Sequence, residues 1–155
     1  MIDRLRDWLS PGASLDLMSP TFSVNAFAEV RDLIERADNC RLLLGDEAAL
    51  AASLFGGPAD IAFRGQLQGR WLARLVADWI EKRTEVRCAP TAPPQSLIVV
   101  QNAGQKRALL GTCSFTSEGL GITPSGQLGL VQSCEANDEA AAFADWFRAN
   151  WDGLK

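Results

Sequence analysis

The chain contains no histidine and no tyrosine among its 155 residues. Without histidine there is no Ser-His-Asp or Cys-His nucleophile system, no imidazole metal site and no imidazole acid–base catalysis. Any chemistry has to use carboxylates, Lys, Arg, Ser, Thr or Cys. Cysteine is scarce: Cys40, Cys88, Cys113 and Cys134 are widely spaced with no C-x-x-C pair, which argues against a zinc site. They read as small apolar residues in or beside strands, and neither a disulfide nor a cofactor is expected. No apolar run approaches the ~20 residues of a membrane-crossing helix. The opening MIDRLRDWLS alternates charge with apolar residues and lacks the apolar centre of a secretory signal, so a cytoplasmic location is expected. A basic excess is missing too. The net charge is −4, which leaves only local clusters as a nucleic-acid footprint: Lys106 with Arg107, or Arg64, Arg70 and Arg74. Each of these reads first as solvated surface charge.

Phosphate-binding signatures are absent as well. Gly104-Gln105-Lys106 lacks P-loop spacing, and Gly56-Gly57-Pro58 lacks the glycine pattern of a dinucleotide site. Asp46-Glu47 follows a strand, where carboxylates can hold Mg²⁺, but acids opening a helix are the commoner meaning.

What is present is ordinary globular material, 47% hydrophobic and 22% charged, in a length that suits one domain over 1–155. The spacing predicts a short amphipathic helix over 2–9, ended by Pro11-Gly12, and a strand over 15–18. Ser23 is placed to cap a helix over 24–38, with Val24, Phe27, Val30, Leu33, Ile34 and Ala37 as its apolar stripe. Asp38-Asn39 breaks it before an apolar strand over 40–44. Strand, helix, apolar strand predicts a βαβ unit with a parallel pair. A short helix over 47–55 and an extended piece over 60–63 follow. Then come a long helix over 66–83, with Trp71, Leu72, Val76 and Trp79 on its apolar face, and a strand over 84–88. Pro90, Pro93 and Pro94 stiffen the connection to a strand over 95–101. Residues 127–133 alternate as a last strand, and Asn137 is placed to cap a final helix carrying Phe143, Phe147 and Trp151. The tryptophans read as core or interface residues rather than base-stacking platforms. The expected architecture is α/β, a mixed sheet with helices on both faces.

Residues 95–120, QSLIVVQNAGQKRALLGTCSFTSEGL, form the stretch the rest is organised around. An apolar strand turns through Asn102-Ala103-Gly104-Gln105, returns through Ala108-Leu109-Leu110, and leaves as Gly111-Thr112-Cys113-Ser114-Phe115-Thr116. Over roughly 12–152, this order resembles the phospholipase D-like superfamily. Its closest likeness is to the nuclease-like halves found with bacterial helicases and restriction systems. The family motif is His-x-Lys, four residues, Asp, then Gly-Ser-x-Asn-x-Thr. Here Gln95 stands at the His place, Leu97 at the Lys place, Asn102 at the Asp place and Ser114 at the Asn place. The turn reads as slightly longer than usual.

The resemblance implies the fold, and a face-to-face pairing of two such halves, as a homodimer or with a second phospholipase D-like chain. The residues argue against the usual activity. Glutamine cannot form the phospho-histidine intermediate, leucine brings no charge, and no shifted alignment or second copy supplies a histidine. The expectation is a pseudoenzyme with a degenerate motif and no catalytic residue. Its work would be binding or assembly within a nucleic-acid-processing or defence system. Thr112, Cys113, Ser114, Thr116, Lys106 and Gln127 are the candidate anion cleft for a phosphate-containing ligand or nucleic acid. Two alternatives stay open. One is a divergent phosphodiesterase or phosphatidyltransferase using Cys113 or Ser114 as nucleophile. The other is an unrelated interaction domain in which 95–101 and 107–111 are not adjacent central strands.

Overall fold

The computed structural model describes residues 1–45, 66–126 and 128–154, and for 66–68 the backbone alone. The elements are α1 (Ile2–Trp8), β1 (Ala13–Ser19), α2 (Val24–Ile34), β2 (Ala37–Leu44), α3 (Gln66–Arg83), β3 (Thr84–Cys88), β4 (Ser96–Asn102), β5 (Gln105–Gly111), β6 (Val131–Cys134) and α4 (Asn137–Asp152). The strands form one six-stranded sheet in the order β3-β2-β1-β4-β5-β6. Its first half is parallel, β1 with β2 and β2 with β3. Its second half is antiparallel, from β1–β4 through β5–β6. Both β1 and β4 are interior strands, and that forces near-continuous apolar sequences onto them.

Strand alternation sends side chains to two cores. Leu15 and Leu17, Cys40 and Leu42, Ile98 and Val100, and Leu109 share one core with α1, α2 and α3. Met18, Leu43, Leu97, Val99 and Ala108 share the other with Ala140, Ala144, Phe147 and Trp151 of α4. The mixed sheet with helices on both faces is therefore present as expected. So is the parallel β1–β2 pair across α2, and β4 and β5 are adjacent as a hairpin. The Ser23 side chain accepts from the Ala26 amide at 3.4 Å and caps α2.

The boundaries differ where tertiary partners compete with local pattern. α2 ends at Ile34, because Ala37, Asp38 and Asn39 open β2 instead, with Ala37 opposite Ala13. Arg83 donates to the Glu35 carbonyl at 3.0 Å, occupying an acceptor that the helix end leaves over. The hairpin turn is short rather than long. Asn102 pairs with Gln105, so Ala103 (φ 48°) and Gly104 (φ 81°) alone make it, as in a type I′ turn. The last strand is Val131–Cys134, shorter than 127–133, and Leu128 and Leu130 stand exposed before it. Asn137 does not cap α4. Ala136 holds that position without a side-chain cap, and Asn137 Oδ1 accepts from the Lys106 amide at 2.7 Å. Trp71 is exposed rather than in the core. The expected elements at 47–55 and 60–63, with Asp46, Glu47, Gly56–Pro58 and Arg64, lie outside the described residues.

Candidate functional site

The hairpin separates the motif positions into two groups. A strand of seven residues, the length of β4, spans about 20 Å. Gln95 and Leu97 stand at its start, beside the end of β5, where Leu110 is opposite Leu97. Asn102 stands at its other end, donating through Nδ2 to Ser10 Oγ. Lys106 is also at that far end, opposite Gln101, whereas Thr112 follows the last residue of β5. Thr112, Cys113, Ser114 and Thr116 are brought together. Lys106 is not brought to them, and Gln127 lies outside the described residues.

The hydroxyl cluster lines a cleft of about 520 Å³ together with Thr21 and Glu118. Its hydroxyls work on their own loop. Thr112 Oγ1 accepts from the Leu130 amide at 3.2 Å, and Thr116 Oγ1 accepts from the Gly119 amide at 3.0 Å. The Ser114 carbonyl accepts from the Thr116 amide at 2.8 Å. A hydroxyl that accepts can still donate, so polar ligand contacts remain open to both threonines. An anion, however, would meet the Glu118 carboxylate with no Lys or Arg side chain among the described lining residues.

A buried hub that sequence reading missed holds this loop in place. Ser19, wholly buried at the end of β1, donates to the Thr21 carbonyl at 2.7 Å and accepts from the Phe115 amide at 2.8 Å. Its oxygen lies 3.3 Å from that of Ser96, also buried at the start of β4. Phe115 stacks on Phe22 at 4.9 Å, so apolar packing and hydrogen bonds both fasten the loop to β1. Small hydroxyl residues closing apolar strands were the only signal in the sequence.

Beside the cleft, Met18, Gln95, Leu97, Leu110, Phe143 and Trp146 line a second hollow of about 340 Å³. Gln95 is its polar member among the described residues, and Trp146 is half exposed at its rim.

On the α4 face of the sheet, Arg41 grips Asp16 with two bonds of 2.7 Å while lying over the rings of Phe147 and Trp151. Asp16 raises the Arg41 pKa above its ordinary value chiefly by hydrogen bonding, so the guanidinium stays charged. Arg87 donates to the carbonyls of Trp151 and Leu154 at 2.6 Å each and so closes α4. Burial pushes the Cys40 thiol far up and, with Glu139, pushes Cys134 up, so both are neutral packing groups. No cluster suited to a metal ion occurs among the described residues, and no helix among them is long and apolar enough to cross a membrane.

The fold and site define an α/β domain whose mixed sheet carries a hydroxyl-lined cleft and an apolar hollow at one end of its central hairpin. No protein-family model matches the chain, and no curated protein matches it. Among solved structures it is similar to the SCAN1 mutant of yeast tyrosyl-DNA phosphodiesterase 1, with 16% identity and a TM-score of 0.43 over 75% of this chain and 25% of that one. It is likewise similar to a second mutant of the yeast enzyme, with 15% identity and a TM-score of 0.44 over 75% of this chain and 24% of that one. The chain thus spans about a quarter of the length of these proteins. A likeness at this level says nothing about catalytic residues or substrate.

Proposed function

We propose that the chain is a phospholipase D-like half domain that has lost its catalytic groups and works by binding and assembly, pairing with a second copy or a second such half. The observation that carries this reading is the surface at the start of β4. Where the motif would place a nucleophile and a phosphate-holding cation, the chain has Gln95 and Leu97, set against Met18, Leu110, Phe143 and Trp146. Such a surface favours apolar contact over phosphoryl chemistry. The neighbouring cleft carries Glu118 and no Lys or Arg side chain among its described lining residues, which disfavours a phosphate or nucleic acid there. A place in a nucleic-acid-processing or defence assembly would then come through a protein partner.

Turnover of bis(p-nitrophenyl) phosphate is the direct test, with Cys113→Ala and Ser114→Ala as controls. No turnover is expected. Turnover that disappears in either variant would replace this reading with a divergent phosphodiesterase or phosphatidyltransferase, for which Glu118 is a carboxylate in the same cleft that could serve as base.

A further inference from the structure

Charge is segregated along this chain. Between Cys88 and Cys134 the charged residues are Lys106, Arg107 and Glu118 alone, in a protein that is 22% charged overall. Lys106 and Arg107 lie toward the turn end of the hairpin, so the other end of the antiparallel half has Glu118 from this stretch and nothing else. That same end exposes apolar side chains. Leu128 is fully exposed, Leu130 is 76% exposed and Trp146 is 48% exposed. Scattered exposed leucines are ordinary, but adjoining ones in a stretch with so few charges mark a contact.

The knobs and the hollow are close neighbours. The Leu130 carbonyl accepts from the Thr112 amide at 3.0 Å, just past Leu110, which lines the hollow. Val131, the next residue, is opposite Gly111. Protruding leucines and an apolar hollow of about 340 Å³ therefore sit side by side, and neither fills the other within one chain. A surface with a knob beside a hole is self-complementary under a twofold rotation. A polyanion would find Glu118 and no Lys or Arg among the described residues that line the cleft and the hollow. For two copies, each of net charge −4, a face built from this charge-poor stretch keeps like-charge repulsion low.

We infer that Leu128 and Leu130 of one copy enter the hollow formed by Met18, Leu97, Leu110, Phe143 and Trp146 of a second copy, and that the twofold axis repeats the contact. This rests on the pairing part of the function proposed above and not on the loss of catalysis.

The test is self-association of the whole chain by sedimentation equilibrium, with far-UV circular dichroism to verify the fold. The variants are the Leu128→Asp, Leu130→Asp double substitution at exposed positions and, on the receiving side, Trp146→Ala. The wild type should be a dimer, and each variant should weaken dimerisation by about tenfold or more. A wild-type dimer unaffected by both variants overturns this contact while leaving the pairing intact. A wild-type monomer at high protein concentration overturns the contact and the pairing together. Phosphodiester turnover by a dimer that does respond to the variants overturns the inactive reading alone and upholds this contact.

Discussion

Ala103 has φ of 48°, a left-handed conformation that costs an alanine about 1–2 kcal/mol because Cβ crowds the following carbonyl. It is held there because the turn between β4 and β5 has only Ala103 and Gly104, and a type I′ turn needs positive φ at both. Asn-Gly is the pair such a turn prefers. Ala103→Asn should therefore stabilise the protein by about 0.5–1 kcal/mol, read as a rise in urea midpoint without a change in slope. An unchanged or lowered midpoint would mean that the turn does not store this strain. Gln95 and Leu97 show the opposite case, in which the backbone is ordinary and only the side-chain chemistry differs from the motif. No geometry can restore a proton carrier to a glutamine or a charge to a leucine.

At the element scale, β6 depends on a close approach to the end of β5 at Gly111. A Cβ on Gly111 would lie 2.3 Å from the Leu130 carbonyl oxygen and 3.0 Å from Val131 Cα. Both are backbone, so the two strands would have to part. Gly111→Ala should cost about 1–3 kcal/mol. Gly126→Ala, with nothing within 4 Å of its Cβ, should be near neutral. Hydrogen exchange at the Thr112 amide, which donates to Leu130, should quicken in the first variant and not the second. Unchanged exchange in Gly111→Ala would show that the loop yields without losing the strand pair. Legibility divides at this scale. Buried periodic elements such as α2, β2 and β4 could be read from the chain, because their patterns arise from the cores they fill. β6 could not be bounded, because Leu128 and Leu130 continue an alternation that here faces solvent. Asn137 looked like a cap but bonds the Lys106 amide on another strand. Lys106 looked near Thr112 because the two are six residues apart in the string, a spacing that an extended strand turns into about 20 Å.

At the scale of the molecule, β1, β2 and β3 carry Asp16, Asp38, Arg41, Glu85 and Arg87, whereas β4, β5 and β6 carry only Lys106 and Arg107. The Asp16–Arg41 pair and the rings of Phe147 and Trp151 close the α4 face beside Cys40, which points into the opposite core. Burial, and then the Asp16 carboxylate, raise the Cys40 pKa above its ordinary value of 9.0, against weaker opposing effects from Thr84 and Arg41. The sign follows from linkage. Below the ordinary value the thiol is neutral in both folded and unfolded chains, and its favourable burial is fully kept. Above it the unfolded chain loses the proton while the folded chain holds it, so stability falls as pH rises toward the raised value. The contribution of Cys40 should decline by about 1.4 kcal/mol per pH unit beyond the ordinary thiol range. Cys40→Ala leaves a small cavity and should be the less stable protein at neutral pH. Its disadvantage should shrink at that slope from pH 9 upward, measured as unfolding free energy against pH. Parallel curves for the two proteins would show that Cys40 ionises as readily in the folded chain as in the unfolded one, and that the core formed by β1, β2, α2 and α3 admits water to its centre.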